Sequence, residues 1–167
     1  MIFKNIFKII KNHYASLAEE TGYKPKPAGA ILIIIFFLLP AVLGAVLGSA
    51  VVIWEGFISA SAPVLSVLTG FSINTLVLLM RFDNKNSHQY DQSTVEKTKE
   101  FTLYSILIGV LIIIILVFGF IISRINLEAR SFTVIAVSSI TYAFIAHYFL
   151  TLLVITHRMF SFTKIVD

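Results

Sequence analysis

The side chains best placed to do chemistry are one histidine, one amide and several hydroxyls set inside long apolar runs. His147 lies in YAFIAHYFLTLLVITH with Thr151 one turn further on, and Asn74 lies in SASAPVLSVLTGFSINTLVLLM after Ser66, Thr69 and Gly70. An imidazole titrates near neutral pH, so inside a bilayer it would sense protons or line a polar path. Asn74 precedes Arg81 by seven residues, which puts it about 10 Å inside its run at 1.5 Å per residue. His147 precedes His157 by ten, at an overlapping depth. These depths predict that Asn74 and His147 face one another in the bundle interior, directly or through Thr69, Thr151 or a water. The competing reading is that such groups satisfy each other as helix contacts, which average about 0.6 kcal/mol in membranes.

Little else is equipped for catalysis. His13, His88 and His157 are scattered, lack metal-ligand spacing and read as solvated or interfacial. The absence of cysteine removes disulfides, thiol catalysis and cysteine-ligated metals. No phosphate-binding glycine loop, nucleophile elbow or pair of catalytic carboxylates is present. Glu19, Glu20, Asp83, Asp91, Glu96 and Glu100 read as solvated charges. The apolar runs hold no Asp, Glu, Lys or Arg, whereas pumps and coupled transporters usually bury at least one. The expectation is a non-enzyme without metal or cofactor. The net charge of +4 reads as basic flanks facing anionic lipid, with no direct contact to nucleic acid.

The elements that must position these groups follow from composition. Of 167 residues 57% are hydrophobic and 13% charged, with a mean hydropathy of +0.91; soluble domains carry about 25% charge. The expected fold is an all-α membrane protein with four transmembrane helices, both termini cytoplasmic, and an N-terminal amphipathic interfacial helix. Residues 2–20 place Ile2, Phe3, Ile6, Phe7, Ile10, Tyr14 and Leu17 at helical spacing, with Lys4, Lys8 and Lys11 largely opposite. Such a helix lies on a membrane surface, or packs its apolar face on the protein's own cytoplasmic side. Its recurrent lysines and lack of an uninterrupted apolar core do not read as a secretory signal peptide. Gly22 reads as a helix C-cap and Tyr23–Pro27 as an extended linker, so residues 1–27 form one unit and 28–167 the transmembrane domain.

Within that domain the spans fall at about 28–53, 57–80, 101–123 and 132–155, with a cytoplasmic loop at 81–98. Pro40 predicts a kink in the first, and Pro63 lies near the start of the second. Ser93 with Glu96 forms a capping box, starting a third helix near Thr94 that runs to Ser123; its nearly all-aliphatic part, Leu103 to Ile122, reads as the lipid-facing helix. Three small-residue faces recur at four-residue spacing: Ala41, Gly44, Ala45, Gly48 and Ser49; Ala62, Ser66, Gly70 and Asn74; Ser139, Ala143, His147 and Thr151. The expected pairing joins the first face to Ser66 and Gly70, making residues 59–80 the packing axis. Orientation comes from charge. Lys4, Lys8, Lys11, Lys24, Lys26, Arg81, Lys85, Lys97, Lys99, Arg158 and Lys164 would share one side, against Arg124 and Arg130 on the other. Eleven against two puts both termini in the cytoplasm.

Two stretches, VLSVLTGFSINTLVLLMRFD (64–83) and YAFIAHYFLTLLVITHRMFSF (142–162), resemble the four-span membrane subunits of bacterial antiphage defence systems of the Kiwa type. The resemblance implies an oligomeric inner-membrane sensor that docks a soluble, DNA-binding partner on its cytoplasmic face. The functional expectation is a non-enzymatic sensor or scaffold of the bacterial inner membrane that homo-oligomerises and recruits a cytoplasmic protein. Lys4, Lys8, Lys11, Arg81, Lys85, Lys97, Lys99 and Arg158 would contact that partner or lipid. The alternative is an oligomeric pore-forming effector, toxin- or holin-like, with Ser66, Thr69, Asn74, His147 and Thr151 lining the conduit. A helper subunit for membrane assembly or insertion is a third reading.

Overall fold

In a computed structural model the described residues are 6, 8–13, 34–53, 55–85, 92–124 and 132–163, nearly all helical. A helix, α1, includes residues 8–13. A π-helical turn, Ile34–Leu38, runs into α2 (Leu39–Ala50). Three long helices follow: α3 (Glu55–Lys85), α4 (Gln92–Arg124) and α5 (Phe132–Thr163). Their apolar stretches, Gly56–Arg81, Val95–Ile121 and Phe132–Phe160, have 26, 27 and 29 residues. At 1.5 Å per residue each exceeds the roughly 30 Å hydrocarbon core of a bilayer. The structure therefore contains three helices long and apolar enough to cross a membrane. Val67, Phe71, Val117, Phe118 and Leu153 project outward from them, as lipid-facing side chains do. Of the first expected span, the described part Ile34–Ala50 is shorter, at about 25 Å.

Pro40 acts at a junction rather than in mid-helix. It occupies the first turn of α2, directly after the π turn. Proline brings no N–H, so the carbonyl four residues earlier, on Phe36, is denied its α-helical donor. A local widening of the helix is a common way to absorb such a lesion. The far end of α2 stops at an extended Val51, and the N–H of Ile53 donates to Ser138 Oγ on α5 at 3.0 Å.

The lateral order is α2–α5–α4–α3, each helix packing on the next. This corrects three expectations. First, α2 packs on α5, and among the described residues it makes no backbone approach to α3. A methyl added to Gly44 would stand 2.6 Å from Ala143 Cβ, and one on Gly48 would strike the Ser139 backbone. The small face of α2 is thus used, but its complement is Ser139 and Ala143. Second, α3 is an edge helix among the described elements: no described residue lies within 4 Å of a methyl built on Gly70, and Ser66 is exposed. Third, α4 is central rather than simply lipid-facing. Phe101, Tyr104, Ile108, Ile112 and Leu116 are buried along it, while Val110, Ile114 and Val117 remain outside. A helix that is aliphatic all round packs neighbours on two sides and still presents hydrocarbon on a third.

The stretch expected as a loop at 81–98 is mostly helix, with α3 extending to Lys85 and α4 beginning at Gln92. Likewise α5 continues past residue 155 to Thr163. The linker at 23–27, the cap at Gly22, and Lys4, Lys24, Lys26 and Lys164 lie outside the described residues.

Candidate functional site

Charge and hydrogen-bonding capacity converge where α1 meets the first half of α4, beside the π turn and the second half of α5. His147 Nδ1 is 2.8 Å from the Phe36 carbonyl and its Nε2 is 2.8 Å from the Tyr104 hydroxyl. A carbonyl only accepts, so Nδ1 carries the proton; in the neutral ring Nε2 offers a lone pair and Tyr104 donates to it. The Phe36 carbonyl is the one Pro40 deprives of a helical donor. His147 therefore repairs the proline's lesion from a neighbouring helix. The chain of bonds runs from a phenol through an imidazole to an amide carbonyl, which takes up no proton at neutral pH. It is a clamp that ties the π turn, α4 and α5 together. Beside it lies an apolar cleft of about 250 Å³, walled by Phe37, Pro40, Ala143 and Phe144.

The opposite flank of Tyr104 carries His13. The two rings stack at 3.8 Å between centroids and 13° between planes, and Phe101 stands 4.3 Å from the same imidazole. His13 is fully buried, contrary to its reading as solvated or interfacial. Burial, then the proximity of His147 and Arg158, pushes its pKa down to about 3. Asn12, beside it, donates from Nδ2 to Glu100 Oε1 at 2.8 Å. Ile9 and Ile10 pack against the core while Lys8 and Lys11 stay exposed. Of the apolar face of α1, Ile9 and Ile10 are thus spent on the protein itself.

Arg158 is also buried, its guanidinium 4.0 Å above the Phe101 ring. It forms part of the cluster rather than the surface contact expected of it. Of the other cations named for lipid or partner contact, Arg81 is exposed, Lys97 and Lys99 are half-buried, and Lys85 ends α3. Deeper in the bundle Thr69 Oγ1 lies 3.4 Å from the Tyr148 hydroxyl. The two meet across Gly109 of α4, where a methyl would collide with Thr69 and stand 3.3 Å from Tyr148.

Asn74 and His147 do not meet. Asn74 is exposed on α3 and has no hydrogen bond among the described residues, while both His147 nitrogens are occupied elsewhere. The physical cause is the facing of α3, which buries Thr69, Ser72 and Thr75 and leaves Ser66, Gly70 and Asn74 on its exposed side. Most of the remaining hydroxyls are turned back on their own helices. Ser66 donates to the Ala62 carbonyl at 2.8 Å, Ser72 to Leu68 at 3.1 Å, Thr75 to Phe71 at 3.0 Å and Thr151 to His147 at 3.0 Å. Such i−4 bonds satisfy the hydroxyl without any partner helix, so a hydroxyl-rich run is not evidence of a wet path. Among the described residues no group of His, Asp and Glu is arranged to hold a metal ion.

Sequence reasoning missed Tyr104, Phe36 and Tyr148. Tyr104 was signalled by a phenol at the head of an aliphatic run, where a hydroxyl demands a partner. Phe36 was signalled by its place four residues before Pro40. No protein-family model matches this chain, and comparison with curated proteins and with solved structures found no match either.

Proposed function

We propose that this chain is a four-span, non-enzymatic sensor or scaffold of the bacterial inner membrane that assembles from several copies and recruits a soluble cytoplasmic protein. The observation that carries the assembly is the outer face of α3. Ser66, Gly70 and Asn74 are all exposed there, and the Asn74 amide has no partner among the described residues. An amide left in hydrocarbon costs about 4–8 kcal/mol on the most apolar reference scale. A second copy offering the same face would supply both an amide and a close backbone approach over Gly70.

Residues 28–33, AGAILI, extend the apolar run of α2 and supply the length of a fourth crossing. The eleven-to-two distribution of Lys and Arg supports cytoplasmic termini. The resemblance of residues 64–83 and 142–162 to Kiwa-type membrane subunits supports a place in antiphage defence beside a soluble partner. Against the pore reading stand Ser66 and Thr151, bonded to their own helices, Thr69, engaged with Tyr148, and His147, engaged on both nitrogens.

The test is reconstitution of the purified chain in liposomes, with chemical cross-linking and ion flux measured side by side. The proposal requires a discrete cross-linked ladder that Asn74→Leu reduces, with no flux. Flux from the chain alone would favour the pore. A monomer at all lipid ratios would defeat the assembly. For recruitment, affinity capture of the solubilised chain from its own bacterium must return one stoichiometric soluble protein.

A further inference from the structure

We propose that α1 is a proton-released latch: neutral His13, stacked on Tyr104 and enclosed by Phe101 and Arg158, holds the N-terminal helix on the bundle, and protonation of His13 lets it go. This goes beyond the scaffold reading and does not depend on it.

The geometry supplies the latch. The described part of α1 is held on the bundle by side-chain contacts. Among the described residues three stand out: the packing of Ile9 and Ile10 on the core, the Asn12–Glu100 hydrogen bond and the enclosed His13 ring. Of the three, only the last buries a group that becomes charged near neutral pH.

The surroundings oppose that charge. From α4 the ring meets Tyr104 and Phe101, with Glu100 at the neighbouring Asn12. From α5 come His147, which opposes a second cation once it is itself charged, and the Arg158 guanidinium, which opposes one throughout. On α1 itself Lys8 and Lys11 point outward. A neutral imidazole stacks well here; an imidazolium would be desolvated beside a guanidinium.

The sign follows by linkage. Docking holds His13 near pKa 3, and the released residue returns to about 6.5. The released state therefore binds more protons, and docking weakens as pH falls below 6.5. Between pH 7.5 and 5.0 the docked-to-released ratio should drop about 30-fold. Release uncovers Tyr104, and with it the clamp that ties α4 and α5 to α2. It also frees an amphipathic helix with two exposed lysines, the kind that settles on a membrane surface.

The chain has no cysteine, so single introduced thiols report release directly. The full-length chain carrying Ile10→Cys, in phosphatidylcholine nanodiscs, is labelled with a maleimide. Its rate is divided by that of Lys8→Cys, an exposed position, at the same pH. The ratio should rise between pH 7.5 and 5.0 by up to about 30-fold. It should stay within about two-fold in a His13→Phe background, which keeps the stack and cannot titrate. The rise should survive Glu100→Gln, which removes the nearby carboxylate and keeps an acceptor for Asn12. A flat ratio in the parent, an equal rise with His13→Phe, or loss of the rise with Glu100→Gln would each overturn the latch.

Discussion

If His147 is present because Pro40 orphans the Phe36 carbonyl, then removing the proline should lower the cost of removing the histidine. His147→Leu keeps a side chain of comparable bulk and removes two hydrogen bonds, one to the Phe36 carbonyl and one from the Tyr104 hydroxyl, each 2.8 Å long. An unmet buried polar group costs about 1–3 kcal/mol in soluble proteins, and interhelical bonds in membranes average about 0.6 and reach about 1.7. Two such losses put His147→Leu near 2 kcal/mol by these figures. Pro40→Ala returns an N–H four residues after Phe36, so its carbonyl has an intrahelical donor whether or not the histidine is there. In that background only the Tyr104–His147 hydrogen bond is lost, and the cost should fall to about 1 kcal/mol. The coupling in the double-mutant cycle is then also about 1 kcal/mol. Unfolding in mixed micelles as SDS is added, followed through the one tryptophan of the chain, gives the four stabilities. If His147→Leu costs the same in both backgrounds to within about 0.3 kcal/mol, the proline has nothing to do with the histidine.

Other substitutions separate contact from mere polarity. Gly48→Ala should destabilise by about 1–3 kcal/mol, because the methyl meets the Ser139 backbone and neither helix can yield cheaply; the same titration measures it. Gly70→Ala should leave the stability of the single chain within about 0.5 kcal/mol, since nothing lies within 4 Å, whereas Gly70→Leu should weaken cross-linking between copies. Thr151→Val should also be near neutral, because its hydroxyl serves only its own helix; a large loss would show a partner that the bundle does not contain. Ser138→Ala should cost about 1 kcal/mol by stranding the Ile53 N–H, and hydrogen exchange at that amide should rise.

The primary structure by itself determined that this chain is helical and lipid-compatible. Its apolar runs are too long and too free of charge to fold otherwise, and helix positions follow from run length alone. It also determined which faces were small, since Gly44 and Gly48, Ser66 and Gly70, and Ser139 and Ala143 recur every four residues. It could not say which face meets which. Three faces with the same spacing are interchangeable to any pattern argument, and only the lateral order of helices paired α2 with α5 and left the α3 face outside. The same limit separated Asn74 from His147: equal depth is a statement about one axis, and Asn74 faces outward from α3. Tyr104 and the Phe36 carbonyl escaped because hydrogen-bond partners in a membrane are chosen by neighbouring helices. His13 escaped because its polarity suggested solvent, whereas a neutral imidazole stacks as readily as any aromatic ring. The opening pair of residues is thus resolved into two different things. His147 mends a proline's missing donor, and Asn74 points away from the bundle.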